Sequence, residues 1–220
     1  MQEANQTKET CYACNALATG AEHIPPKCIF PNDSAYRCNL IKVPSCDKHN
    51  SMKSKDDELL RHVLVTAPEN NKLAIKVLED SVLPSFERRP HIVKTFFHKL
   101  TPINTGGMET AWYSIDLKRF QRSIRQIVRG LYFFTYEQKL HADLYVVWGA
   151  LRTPDQLSAP FYDITKKGEK ILPPIDSGAN PKVFRYNFTF SRDKKTSLCR
   201  LQFYDGIPVL VTWRDSGATV

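Results

Sequence analysis

The sequence predicts an α+β fold in two parts: a small Cys/His-rich head followed by a larger basic body that ends in an antiparallel meander. Three observations carry this. Five of the six cysteines, at 11, 14, 28, 38 and 46, fall within the first 46 residues. Helical apolar periodicity dominates the middle of the chain, and strict alternation takes over after residue 183. That shift divides the chain into residues 1–66 and 67–220.

Composition is that of a soluble globular protein, 42% hydrophobic and 25% charged. Met1 to Thr10 lack the apolar centre of a signal peptide, and runs such as Leu131–Phe134 and Leu144–Trp148 are too short to span a bilayer. A cytoplasmic location is therefore expected, with no membrane partner. There thiols stay reduced, and clustered cysteines point to metal rather than disulfides. The net charge of +8 is uneven. The first sixty residues hold 7 Lys/Arg against 8 Asp/Glu, and the remainder 24 against 15, which suggests a polyanionic partner for the body.

Along the chain, a helix is expected to start at Ser45 or at Ser54, the latter followed by the acids Asp56-Asp57-Glu58, and to run through Leu59-Leu60 and His62-Val63-Leu64. Helices follow near 68–81 and 84–100, the second broken near Pro90. A strand is expected at Ala111–Ile115, a long helix capped by Asp116 reaching about Glu137, and a buried strand at Leu144–Trp148. Five of the fourteen prolines mark 150–182 as an extended arm. Phe184, Tyr186, Phe188 and Phe190 alternate with polar residues, Cys199, Leu201 and Phe203 continue the period, and Asp205-Gly206 turns the chain into a third strand at Ile207–Trp213.

Cys11-Tyr-Ala-Cys14 and Cys46-Asp-Lys-His49 form a CxxC and a CxxH pair. Each pair brings two ligands within reach of one tetrahedral ion, so the four make a closed structural Zn2+ site, in a treble-clef arrangement given the 31 residues between the pairs. Cys28 and Cys38 are substitute ligands, and Cys199 is expected in the core. So small a module has little apolar core, and the ion would supply much of its folding free energy.

Between the pairs stand Glu22-His23-Ile24-Pro25-Pro26-Lys27, then Asn39-Leu40-Ile41-Lys42-Val43, and after the second pair Asn50-Ser51-Met52-Lys53-Ser54. Taken in this order, the set resembles the HNH (ββα-metal) endonuclease family over roughly residues 11–58. The resemblance implies phosphodiester hydrolysis with His23 as general base, near its ordinary pKa of about 6.5. It implies that Glu22 and Asn50 hold one catalytic ion, Mg2+ or Mn2+, that Asn39 braces the loop carrying His23, and that Lys27 contacts phosphate. Ser54 stands where other members carry a second His or Asn, and Glu22 where Asp or His is more usual. Anti-phage defence or a mobile element is the setting such small members suggest.

In the body, Lys118, Arg122, Arg125 and Arg129 recur within about 60° on a helical wheel, opposite an apolar stripe of Leu117, Phe120, Ile124, Ile127, Val128 and Leu131. Four cations in a row suit the phosphates of nucleic acid, DNA more than RNA. The alternatives are a zinc-dependent nucleic-acid-binding or protein-interaction module that does not cut, and a subunit active only with a partner protein in a defence complex. Double-strand cutting from one site would favour a homodimer.

Overall fold

The computed structural model describes residues 9–67, 69–105, 108–148, 178–192, 196–206 and 208–214. The arm expected at 150–182 lies outside the described residues except for 178–182. The architecture is α+β. Strands β1 (Gly20–Ile24) and β2 (Ile41–Ser45) form an antiparallel hairpin, with His23 opposite Lys42 and Glu22 opposite Val43. Two short 3-10 turns, Asp47–His49 and Ser51–Lys53, lead into helix α1 (Ser54–Val65).

The second of the two expected starts is therefore where α1 begins, with Asp56 and Asp57 in its first turn. Ser45 instead ends β2, fully buried, so Cys46 and His49 are spaced by a 3-10 turn and do not share a helix face. The apolar residues Leu59, Leu60, Val63, Leu64 and Val65 are all buried, so α1 runs through the centre of the molecule.

Helix α2 (Lys72–Val77) passes through a π turn at 78–82 into α3 (Leu83–Arg88), and Arg89 leaves the helical path before Pro90. Helix α4 (His91–Phe96) follows, ending short of the expected 100. Residues His98–Thr105 are strand β3, paired with β4 (Met108–Ser114) in a two-stranded ribbon. The β-branched residues Thr101, Ile103 and Thr105 favour strand, a preference that the helical spacing upstream hid.

Helix α5 (Leu117–Tyr136) matches expectation at both ends: Asp116 caps it by accepting from Arg119 N at 3.1 Å, and Glu137 closes it in a left-handed conformation. Its apolar stripe is buried, except that Leu117 is exposed at the first turn. Strand β5 (Tyr145–Trp148) is an edge strand of a four-stranded sheet ordered β5-β8-β7-β6, with β6 (Phe184–Phe190), β7 (Thr196–Phe203) and β8 (Val209–Arg214). It is not buried on both faces as expected: Tyr145 is 66% exposed while Trp148 stacks on Phe120. The β7–β8 turn centres on Tyr204 and Asp205, both at positive φ (51° and 57°), one residue earlier than expected, with Gly206 N bonded to Phe203 O.

Head and body share one continuous core. Gly130 of α5 meets β1 so closely that a Cβ there would lie 2.6 Å from Ile24 Cγ1. The hydroxyl of buried Tyr204 donates to Ile29 O, Asn180 Nδ2 donates to Cys38 O at 3.2 Å, and Lys139 Nζ to Cys14 O at 2.8 Å. Arg119 Nε and Arg122 Nε both donate to Asp56 of α1, at 2.6 and 2.8 Å. Among the described residues no helix is long and apolar enough to cross a membrane.

His62 sits fully buried in α1, edge-on to Phe86 at 4.9 Å. Burial above all, then the cations Arg61 and Arg89, bring its pKa down to about 3. A folded-state pKa below the unfolded value gives stability that is present above about pH 6.5 and is lost as pH falls toward the folded value. Chemical denaturation should accordingly show a lower midpoint at pH 5 than at pH 7.5. The difference should shrink in His62→Gln; an equal slope in both proteins would place the acid sensitivity elsewhere.

Candidate metal centre and adjoining cleft

The CxxC pair lies in the turn before β1 and the CxxH pair just after β2, so the antiparallel hairpin carries both to the same end. Ligand atoms of Cys11, Cys14, Cys46 and His49 all lie within 4.8 Å of one another. His49 Nδ1 is 3.5 Å from Cys11 Sγ and 3.4 Å from Cys46 Sγ, and Cys14 Sγ is 3.8 Å from Cys46 Sγ. A tetrahedron with metal–sulfur bonds of about 2.3 Å and a metal–nitrogen bond of about 2.0 Å has S–S edges of about 3.8 Å and S–N edges of about 3.5 Å. The donor set and its spacing therefore fit a single tetrahedral metal ion.

The protonation shifts are mixed: the Ala16 backbone hydrogen bond lowers the Cys14 thiol, but burial and its sulfur neighbours outweigh it and leave it raised, while Cys11 and His49 shift toward their metal-binding forms. Burial, helped by the neighbouring cations Lys48 and Arg129, pushes the His49 pKa down and keeps the imidazole neutral. Burial would raise the Cys11 thiol, but backbone hydrogen bonds, led by the one from Ala13, outweigh it and lower its pKa. The two substitute ligands lie apart from this cluster: Cys28 donates to Asp57 O at 3.5 Å and Cys38 to Ala35 O at 3.4 Å. Cys199 is fully buried in the core, as expected.

Beside the metal centre, a cleft of about 570 Å³ is bordered by Glu22, His23, Lys27, Asn50 and Ser54, together with Lys53 and Asp57. Five of the residues named from sequence thus meet in one place. Glu22 is buried beneath it: Tyr12 Oη and Ser45 Oγ donate to its Oε2 at 3.3 and 3.4 Å, and Lys53 pairs with its Oε1. Lys53 also bridges to both oxygens of Asp57, at 2.7 and 2.9 Å. Burial pushes the Glu22 carboxyl up to about 7, against the pull of Lys53. His23 is half-buried, and burial followed by the cations Lys42 and Lys27 lowers its pKa, favouring the neutral base. Asn50 Nδ2 donates to Ala21 O at 3.5 Å, which fixes the amide plane.

Asn39 does not border this cleft. It has φ of 50°, a left-handed conformation that Asn tolerates, and lines a separate hollow with Pro25 and Asn180. Among the described residues no hydrogen bond ties it to the loop carrying His23, so the bracing expected of it is not seen. In place of Asn39, the groups that hold the cleft are Tyr12, Ser45, Lys53 and Asp57. Lys53 and Asp57 stand four apart across the start of α1, a spacing legible in the sequence; that Lys53 reaches Glu22 required the hairpin.

Of the basic row on α5, Lys118 and Arg122 are exposed. Arg125 Nε donates to Leu144 O at 2.8 Å, and Arg129 Nε and Nη2 donate to Leu140 O and Ala142 O at 3.2 and 3.3 Å. Those two guanidiniums anchor the loop before β5 and Arg122 pairs with Asp56, so three of the four residues in the expected phosphate row also serve the structure. No protein-family model matches this chain, and no curated protein or solved structure matches it.

Purified protein should carry one tightly held metal per chain by elemental analysis. Cys14→Ala and Cys46→Ala should lose it and melt at markedly lower temperature, because metal binding of this type stabilises a fold by roughly 10 kcal/mol. Undiminished stability after removal by a strong chelator would overturn the metal centre.

Proposed function

We propose that the chain is a metal-dependent endonuclease of the HNH type, with Zn2+ at the four-ligand centre and phosphodiester hydrolysis in the adjoining cleft. The observation that carries the reading is that Glu22, His23 and Asn50 all border one cleft, Glu22 from the buried face of β1 and His23 from the other, on a hairpin-then-helix frame beside a tetrahedral donor set. The cleft also suits a divalent ion in kind. Its acids and amide are hard oxygen donors, and an ion bound there would displace the Lys53 ammonium from Glu22. Glu22 and Asn50 would hold such an ion, which when bound would neutralise charge developing on the phosphate oxygens.

The chain's own groups supply the rest. His23, kept neutral by burial and two nearby lysines, takes the proton from an attacking water. Asn50 is steadied by Ala21 O, so its amide oxygen keeps a fixed direction. Exposed Lys27 at the rim positions a non-bridging phosphate oxygen. DNA is the first substrate to test, and anti-phage defence is the proposed setting. A binding module that does not cut is the second reading, favoured by the Lys53–Glu22 ion pair, which satisfies the buried carboxylate without any divalent ion.

Plasmid DNA with Mg2+ or Mn2+ should be cut, and His23→Ala should cut about 10²–10⁴-fold more slowly while keeping its metal content and melting temperature. At subsaturating divalent ion the rate should climb with pH through about 7, as the raised Glu22 carboxyl ionises, with His23 already neutral. Mobility shift without cleavage in either metal would favour the second reading, and cleavage only on adding a partner protein would indicate an activated subunit.

A further inference from the structure

A second and larger concavity lies on the other side of the helix start, a groove of about 1100 Å³ between the CxxH knuckle and α5. One wall carries Lys48 and Lys55, the other Lys118 and Arg122. All four are exposed, and the ammonium groups of the three lysines make no ion pair among the described residues. The acid bordering the groove, Asp56, is already shared by Arg119 and Arg122, two cations on one carboxylate, and the Arg122 side chain remains 55% exposed. The groove is therefore strongly positive, with Asp56 the one acid among its lining residues. It also shares Lys53 and Lys55 with the cleft that holds His23, so the two concavities meet end to end across the start of α1.

We propose that this groove is a second binding site, one that tracks the phosphate backbone of a nucleic acid and leads it into the cleft. The proposal rests on the endonuclease reading for the destination of the strand, but not for the binding. It differs from a simple basic helix face in its parts. Lys48 and Lys55 of the head take part with Lys118 of α5, Arg122 is engaged in part by Asp56, and Arg125 and Arg129 line the groove with their guanidiniums oriented by backbone carbonyls. The exposed contacts, three ammonium groups and a guanidinium already held by Asp56, recognise charge and spacing rather than base edges. The affinity should be sequence-neutral and steeply salt-dependent.

The test is fluorescence anisotropy in a His23→Ala background, which prevents cutting, with a 30-mer as single-stranded DNA, duplex DNA and RNA, and with polyglutamate as a polyanion lacking phosphate. Each lost phosphate contact should lower the slope of log affinity against log salt by about 0.7 to 0.9. Lys48→Gln/Lys118→Gln should therefore lower it by about 1.4 to 1.8 and weaken low-salt binding by about tenfold or more. Lys55→Gln/Lys118→Gln, which leaves the metal knuckle intact, should behave alike. An unchanged slope in both double variants, or equal binding of polyglutamate, overturns the groove. Slope loss in a protein that never cuts, with any metal, upholds the groove and sinks the nuclease. Cutting by the wild type with unchanged slopes does the reverse. The three nucleic-acid arms identify which backbone the groove prefers.

Discussion

The whole arrangement depends on bringing Cys11, Cys14, Cys46 and His49 within bonding distance of one point. Those four residues come from two turns separated by more than thirty positions, and the β1–β2 hairpin between them is only five residue pairs long. A hairpin that short is marginal alone. An ion held by those four residues would fix its register, and register decides that Glu22 lies opposite Val43, pointing inward, while His23 lies opposite Lys42. A slip of one residue would exchange those two faces and dismantle the cleft.

Helix α5 completes what the ligands begin. It lies against β1 through Gly130, with no side chain between the helix and Ile24, and against α1 through Asp56, where two arginines converge on one partly buried carboxylate. The head is thus walled by the body rather than tethered to it. The same helix spends Arg125 and Arg129 on carbonyls of the 140–144 loop. A carbonyl buried without a donor costs on the order of 1–3 kcal/mol, which is reason enough for guanidinium groups to be drawn inward.

Inside the cleft, the buried Glu22 carboxylate is the costly element. Burying an unpaired carboxylate is prohibitive, and Tyr12, Ser45 and Lys53 share its compensation. Burial raises the carboxyl's pKa, and the Lys53 and Tyr12 contacts hold that rise in check. The network also makes Lys53 part of the cleft's interior rather than of its solvated rim.

The sequence by itself determined what depends on local spacing. Paired Cys/His knuckles, the Asp116 cap, the period-3.6 stripe of α5 and the period-2 strands at 184–190 and 196–203 are all short-range patterns. The tertiary structure alone decided the rest. It began a strand at His98, inside the last three positions of the helix expected over 84–100, because pairing with β4 outweighs a weak helical spacing there. It moved Asn39 away from the cleft, recruited Lys53 and Asp57, and drew three of the four cations on one basic helix face into structural contacts. Each of these rests on which groups meet across tens of residues. Periodicity reports which face a side chain takes, but not what it finds there.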